Sequence, residues 1–264
     1  DPTEAFVLET ADKWWVAERI EGYRILVGNL TIRNTGDLHK KEIVDHAVEK
    51  GYCSSMDDFD FARTFAKPNL PEDVLQTLKT EHLNEIMREN EGEITLKFVI
   101  DLMRQHQEKE PMEVLKCTGT QVSHLKELKE SIHWLTGGPE PRFNLFKPYV
   151  FPLKNQVTQE IGPHDRIQDD WFWTKNERFL RPEKGQINPK IKQEFLNELN
   201  IMQEEIFESA KEVLLEEEEI PNRDFPSRMA EINSLAWEKA IELLDFKPQS
   251  KVKKFVSPNE KRVL

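Results

Sequence analysis

The chain has 264 residues and a mass of 31.1 kDa, with 49 acidic against 37 basic side chains, a net charge of −12 and a mean hydropathy of −0.67. Its 15 Phe, 6 Trp and 3 Tyr are enough to seed a core, and the charge per residue is too small for wholesale disorder. No apolar run approaches the roughly 18–20 residues that span a bilayer, and the acidic balance disfavours sequence-independent nucleic-acid binding outside a local basic patch.

In chain order, residues 3–22 read as a helix, with Phe6, Trp14 and Ile20 apolar among charged neighbours and Gly22 as the stop. Tyr23–Val27 and Leu30–Arg33 flank Gly28-Asn29, which suits a tight turn because either residue takes a positive φ. A short β-hairpin near residues 23–33 and a continuing buried helix both remain open. Asp37 is a favourable N-cap for a helix through Lys50, with Leu38, Ile43, Ala47 and Val48 on one face and Gly51 just past its end. A short helix over 56–66 carries Phe59, Ala62 and Phe65, and Pro68 ends it. From Pro71, apolar residues Val74, Leu75, Leu78, Leu83, Ile86 and Met87 recur at three and four. The same spacing marks Thr95–Gln107 on Leu96, Val99, Ile100 and Met103, and Thr120–Leu135 on Val122, Leu125, Leu128, Ile132 and Leu135. Short connections make residues 1–136 an antiparallel helical array.

Gly137-Gly138-Pro139 breaks that pattern. Between there and Pro189 the chain has seven prolines and eight aromatics, among them Phe143, Phe146, Tyr149, Phe151, Trp171, Phe172 and Trp173. Proline denies this stretch long helices and central strands, yet the rings demand burial. Residues 137–190 therefore read as an extended arm lying across a surface. A long helix follows from Pro189, with Ile191, Phe195, Leu199, Met202, Ile206, Ala210 and Val213 on one stripe. A second, from about Ser227, uses Ile232, Leu235, Ala236, Ile241 and Leu244. These two form a helical pair over 191–246, and a basic tail occupies 247–264.

Candidate chemistry is thin. Glu42 and His46 lie four apart, with His39 one turn earlier, a spacing at which a carboxylate and an imidazole can share a divalent ion. The stretch lacks the second histidine of an HExxH site, and Asp45 precedes His46 rather than following it, so a solvated polar face is the simpler account. His82, His106, His124, His133 and His164 are scattered singly. His164, Asp165, Asp169, Asp170 and Glu177, with Lys175 nearby, form an acid cluster of the kind that holds Mg²⁺, but no strand is there to project it. There is no phosphate-binding glycine loop and no nucleophile elbow, and Cys53 and Cys117 fit neither a disulfide framework nor a zinc site. The arm could stack single-stranded bases, with only Arg142, Lys147, Lys154 and Arg166 as charge support. The run Glu216–Glu219 sits at a helix C-terminus, where negative charge is unfavourable and a basic neighbour would help.

The expected fold is mainly α: an antiparallel helical array, an extended Pro/aromatic-rich arm and a C-terminal helical pair. The expected role is a non-catalytic structural or adaptor subunit of a larger multiprotein assembly. It would bind other protein subunits through Phe143, Phe146, Tyr149, Phe151, Trp171, Phe172 and Trp173 and through its amphipathic helices. No catalytic, cofactor or metal residue is assigned, and nucleic-acid contact is expected only through the basic tail. The alternatives are a metal-dependent hydrolase or nucleic-acid-processing enzyme using the acids around Asp165–Asp170, and a helical-repeat module that binds peptides. The cysteine usage suits a reducing intracellular compartment, cytoplasmic or mitochondrial. The opening Asp1-Pro2, without Met, is compatible with a processed form or with part of something longer, which leaves an organellar address open.

Overall fold

The computed structural model describes residues 3–26, 30–65, 80–104, 117–126, 130–151, 168–180, 189–219 and 224–245. Contacts divide the chain into two compact units, residues 1–115 with 122–132, and residues 116–121 with 133–264. Helix is the larger component, and two small three-stranded antiparallel sheets accompany it. No helix among the described residues is long and apolar enough to cross a membrane.

The first unit opens on strands where the sequence suggests a helix. Strand β1 (Phe6–Ala11) pairs antiparallel with β2 (Trp14–Arg19) across the turn Asp12-Lys13, and β3 (Leu38–His39) pairs with the other side of β2. Asp12 takes a φ of 55°, a left-handed value that a short polar side chain tolerates. The residues of β1 do alternate, but with a carboxylate on the inner side: Val7 and Glu9 are buried while Phe6, Leu8 and Thr10 face out. Glu9 tolerates burial because its oxygens accept the Thr31 N–H at 2.7 and 2.8 Å, the Thr31 hydroxyl at 2.7 Å and the Ile32 N–H at 3.0 Å. These bonds fasten Thr31 and Ile32 to the strand. Residues 23–26 and 30–33 carry no strand, so the hairpin lies earlier in the chain than expected, and Gly28-Asn29 is outside the described residues.

Helix α1 (Ile43–Glu49) starts later than the sequence suggests. Leu38 and His39 belong to β3, and Asp37 accepts the Arg19 N–H at 2.7 Å instead of capping a helix. Gly51, at a φ of 70°, closes α1 as expected. Helices α2 (Phe61–Phe65), α3 (Thr80–Glu89) and α4 (Leu96–Arg104) follow. Thr95 caps α4, its hydroxyl accepting the Phe98 N–H at 3.1 Å. Trp14, Val16, Ile32, Ile43, Phe59 and Phe61 form the centre of this unit's core. Val74, Leu75 and Leu78 lie outside the described residues.

The second sheet has the order β4 (Gln121–His124), β5 (Ile132–Leu135), β6 (Lys147–Val150). Its first two strands replace the helix expected over Thr120–Leu135. Ile132 and Trp134 are buried two apart, whereas Leu125 of the helical stripe is exposed. Helix α5 (Phe172–Leu180), α6 (Pro189–Glu219) and α7 (Phe225–Leu244) complete the second unit, with α7 packed on both α6 and β6, and α5 on α7. Along α6 the expected stripe is buried from Phe195 through Leu199, Met202, Ile206, Ala210 and Val213. On α7 the buried face is Phe225, Met229, Ile232, Ala236, Ala240 and Leu243, which turns the expected Leu235 and Ile241 outward.

The extended arm is likewise corrected. Residues 141–150 form a 3-10 turn (Pro141–Phe143) and strand β6, and Trp171-Phe172-Trp173 leads into a helix, so its three rings do not alternate across an extended backbone. Proline still limits these elements to nine residues or fewer. Residues 152–167 and 181–188 and the basic tail are outside the described residues.

Candidate functional site

The densest polar chemistry lies along residues 136–150, inside the second unit. Gly138 and Asn144 begin it: a Cβ on Gly138 would sit 2.4 Å from Asn144 Oδ1, so only glycine lets that amide approach. Asn144 Nδ2 donates to Pro139 O at 2.5 Å, to Glu140 O at 3.1 Å and to Asn176 Oδ1 of α5 at 3.2 Å. Thr136 bonds its N–H to Thr120 O at 3.1 Å, accepts the Thr120 N–H on its hydroxyl at 3.0 Å and donates that hydroxyl to Gly138 O at 3.1 Å.

Amide side chains on the two long helices serve the strand. Gln203 of α6 accepts the Phe146 N–H at 2.7 Å and donates to Phe146 O at 3.2 Å, the pairing a neighbouring strand would make. Asn233 of α7 donates to Pro148 O at 2.8 Å, and Trp237 Nε1 donates to the Tyr149 hydroxyl at 2.8 Å. Both amides interrupt apolar stripes, Gln203 beside Met202 and Asn233 beside Ile232.

Lys147 is at the centre. Its side chain is wholly buried, and Nζ donates to Thr136 O at 2.5 Å and to Leu145 O at 3.0 Å. The amine lies 4.9 Å from the centre of the Phe172 ring and 4.3 Å from that of Trp237, and the two rings meet edge to face at 5.1 Å. Burial pushes the amine down to about 7, because leaving water disfavours the ammonium. This belt orders backbone and can exchange a proton at Nζ. It offers no solvent-reached nucleophile, since Thr136, Asn144, Lys147, Gln203 and Asn233 are all buried.

The residues singled out from sequence are distributed differently. Phe143, Phe146 and Phe172 spend their surface inside the second unit, Phe143 against Phe195 and Phe172 against Trp237. Tyr149, Trp171 and Trp173 are half-buried, and Trp173 Nε1 donates to Thr118 O at 2.8 Å. Phe151 is exposed, with His133 against its edge. In the first unit His46 stacks on Trp14 with ring centres 4.6 Å apart, and Cys53 is buried in the core. Asp169 pairs with Arg178 at 2.5 Å, while His164 and Asp165 lie outside the described residues. Among the described residues no group of three His, Cys, Asp or Glu is placed to hold a metal ion. The basic neighbour suggested for the glutamate run is Arg228 of α7, paired with Glu216; their hydrogen bond holds that carboxyl below its ordinary range.

Lys147, Asn144, Gln203 and Asn233 are the residues that sequence reasoning missed as a set. The available signal was a polar side chain at a position where the stripe or the aromatic run calls for an apolar one. No protein-family model matches the chain, and no solved structure matches it.

Proposed function

We propose that this chain is a non-catalytic structural or adaptor component of a larger multiprotein assembly. The observation that supports this reading is the outer face of the first sheet. Leu8, Ala17 and Leu38 form one row across β1, β2 and β3, with Phe6 beside it opposite Arg19. Phe6, Leu8 and Leu38 are 41, 61 and 54% exposed, the last two on either side of a buried Ala17. A lone exposed leucine is ordinary; an apolar row on a sheet face is the pattern that a second layer covers in packed assemblies. On the second unit, exposed Phe151 and the half-buried Tyr149, Trp171 and Trp173 are the accessible members of the aromatic docking set.

The test is quantitative affinity capture with the wild-type chain and with the triple variant Phe6→Ser, Leu8→Ser, Leu38→Ser. These side chains point away from the core, so the variant folds. The wild type retains a stoichiometric set of proteins and the variant loses it. Absence of any stoichiometric protein, or its equal retention by both chains, refutes the reading.

A further inference from the structure

We propose that two copies of this chain pair through the open edge of β1, joining their three-stranded first sheets into one antiparallel sheet about a two-fold axis. This concerns the border of that sheet rather than its outer face, and it does not rest on the adaptor reading. Hydrogen-bond phase identifies the open groups. The Ile20 N–H donates to Ala5 O at 2.8 Å, and residue 5 lies opposite residue 20 in the β1–β2 register. Bonded and non-bonded pairs alternate along an antiparallel ladder. Val7, Glu9 and Ala11 therefore direct their backbone groups at β2, while those of Phe6, Leu8 and Thr10 point off the sheet. Among the described residues nothing pairs with these outward groups. The side chains of the same residues lie on the exposed outer face.

β1 lacks the devices that blunt an edge. Residues 6–11 include no lysine, arginine or proline, and the register against β2 runs unbroken over six pairs, without a bulge. The inward carboxylate of Glu9, which would otherwise repel an arriving strand, is already bonded to Thr31 and Ile32. The other borders differ. β3 is two residues long, and along the border of β6 the groups of Phe146 and Pro148 are engaged by Gln203 and Asn233.

Self-complementarity selects the occupant. A two-fold pair uses the same patch on both chains, and open groups meet open groups only when even-numbered residues face even-numbered ones. Centring the axis on Leu8 sets Glu4 opposite the second copy's Asp12, acid against acid. Centring on Phe6 or on Glu9 places an acid opposite Leu8 or Phe6. Centring on Val7 avoids both. Phe6 then faces the second copy's Leu8, Leu8 faces its Phe6, and Glu4 faces its Thr10, whose hydroxyl can donate to a carboxylate. Each bonded pair exchanges an N–H and a C=O in both directions. On the inner side Val7 meets its own copy and Ala5 meets Glu9. On the outer face Leu38, Ala17 and Leu8 continue into the second copy's Phe6, one apolar row that crosses the junction.

Sedimentation equilibrium of the full chain at tens of micromolar tests this, and the wild type has twice the single-chain mass of 31.1 kDa. Leu8→Pro removes an outward N–H without touching the β1–β2 ladder, and an edge strand accepts proline at such a position. This variant sediments at the mass of one chain. A wild type of single-chain mass, or an equal dimer in the variant, overturns the proposal. Disulfide trapping reads the register and remains decisive should Leu8→Pro fail to fold. Directly opposite residues of a bonded pair have Cα atoms about 5.5 Å apart, which a disulfide spans, whereas the diagonal is too long. An equimolar mixture of Phe6→Cys and Leu8→Cys chains, mildly oxidised, therefore forms about tenfold more linked dimer than either chain alone. Peptide mapping separates that link from any at Cys53 or Cys117. Equal linking in the mixture and in the single variants, or none, overturns the pairing.

Discussion

Replacing Gln203 by leucine isolates the amide clamp on Phe146. Gln203 is buried on α6 and supplies both partners of the Phe146 peptide, at 2.7 Å to its N–H and 3.2 Å to its C=O. Leucine keeps the bulk and removes both bonds, leaving two buried backbone groups unsatisfied at about 1–3 kcal/mol each. The apolar side chain recovers about 1–2 kcal/mol from its own burial, so the net loss is about 1–4 kcal/mol. Urea denaturation at pH 7.5, followed by far-ultraviolet circular dichroism, measures it. Gln203→Glu adds a control with a distinct sign. Ionised, the carboxylate accepts from the N–H but cannot donate to the C=O; protonated, it restores both bonds. Its stability relative to wild type therefore rises as pH falls, whereas that of Gln203→Leu stays level. A leucine variant within about 0.5 kcal/mol of wild type refutes the clamp as a stabilising feature.

Gly36→Ala destabilises the first unit by well over 1 kcal/mol, because Gly36 sits at a φ of 62° and a Cβ there would meet Ala17 O at 2.3 Å; thermal unfolding reads this, and an unchanged midpoint contradicts it. Leu199→Asp, which puts a charge on the wholly buried stripe of α6, costs several kcal/mol, while exposed Glu212→Gln costs less than about 0.5 kcal/mol; equal melting temperatures would place that stripe at the surface. His46→Gln removes a ring stacked on Trp14 and costs about 0.5–1.5 kcal/mol, with no change in bound metal by elemental analysis. Zinc or manganese bound stoichiometrically to wild type and lost in that variant would instead make His46 a ligand.

Legibility followed burial geometry. The stripe of α6 could be read because one apolar face over 31 residues leaves no other packing solution. The β1–β2 hairpin was hidden by inversion: the buried side of β1 includes Glu9 and its open side carries Phe6 and Leu8, so a period-two search for apolar residues finds the wrong face. Glu9 is explained only by Thr31 and Ile32, twenty-odd residues on. The hairpin at β4 and β5 was hidden by coincidence, since Val122, Leu125 and Ile132 also fit a helical spacing. Lys147 reads as an ordinary basic residue until Phe172 and Trp237 arrive from elements 25 and 90 residues away. A buried amine is a tertiary fact.

The clamp on β6 has a further consequence for how the molecule behaves in a crowd. β6 ends its sheet, and Phe146 and Pro148, two apart, direct their backbone groups toward the same side. A strand from another chain would need a donor and acceptors along that side. It finds no N–H on Pro148, whose C=O is held by Asn233, and both groups of Phe146 are held by Gln203. Two positions of this border are thus taken by side chains and a proline, which weakens a template for strand addition and the fibrillar growth that follows from it. Variants that free this border should clump before they unfold.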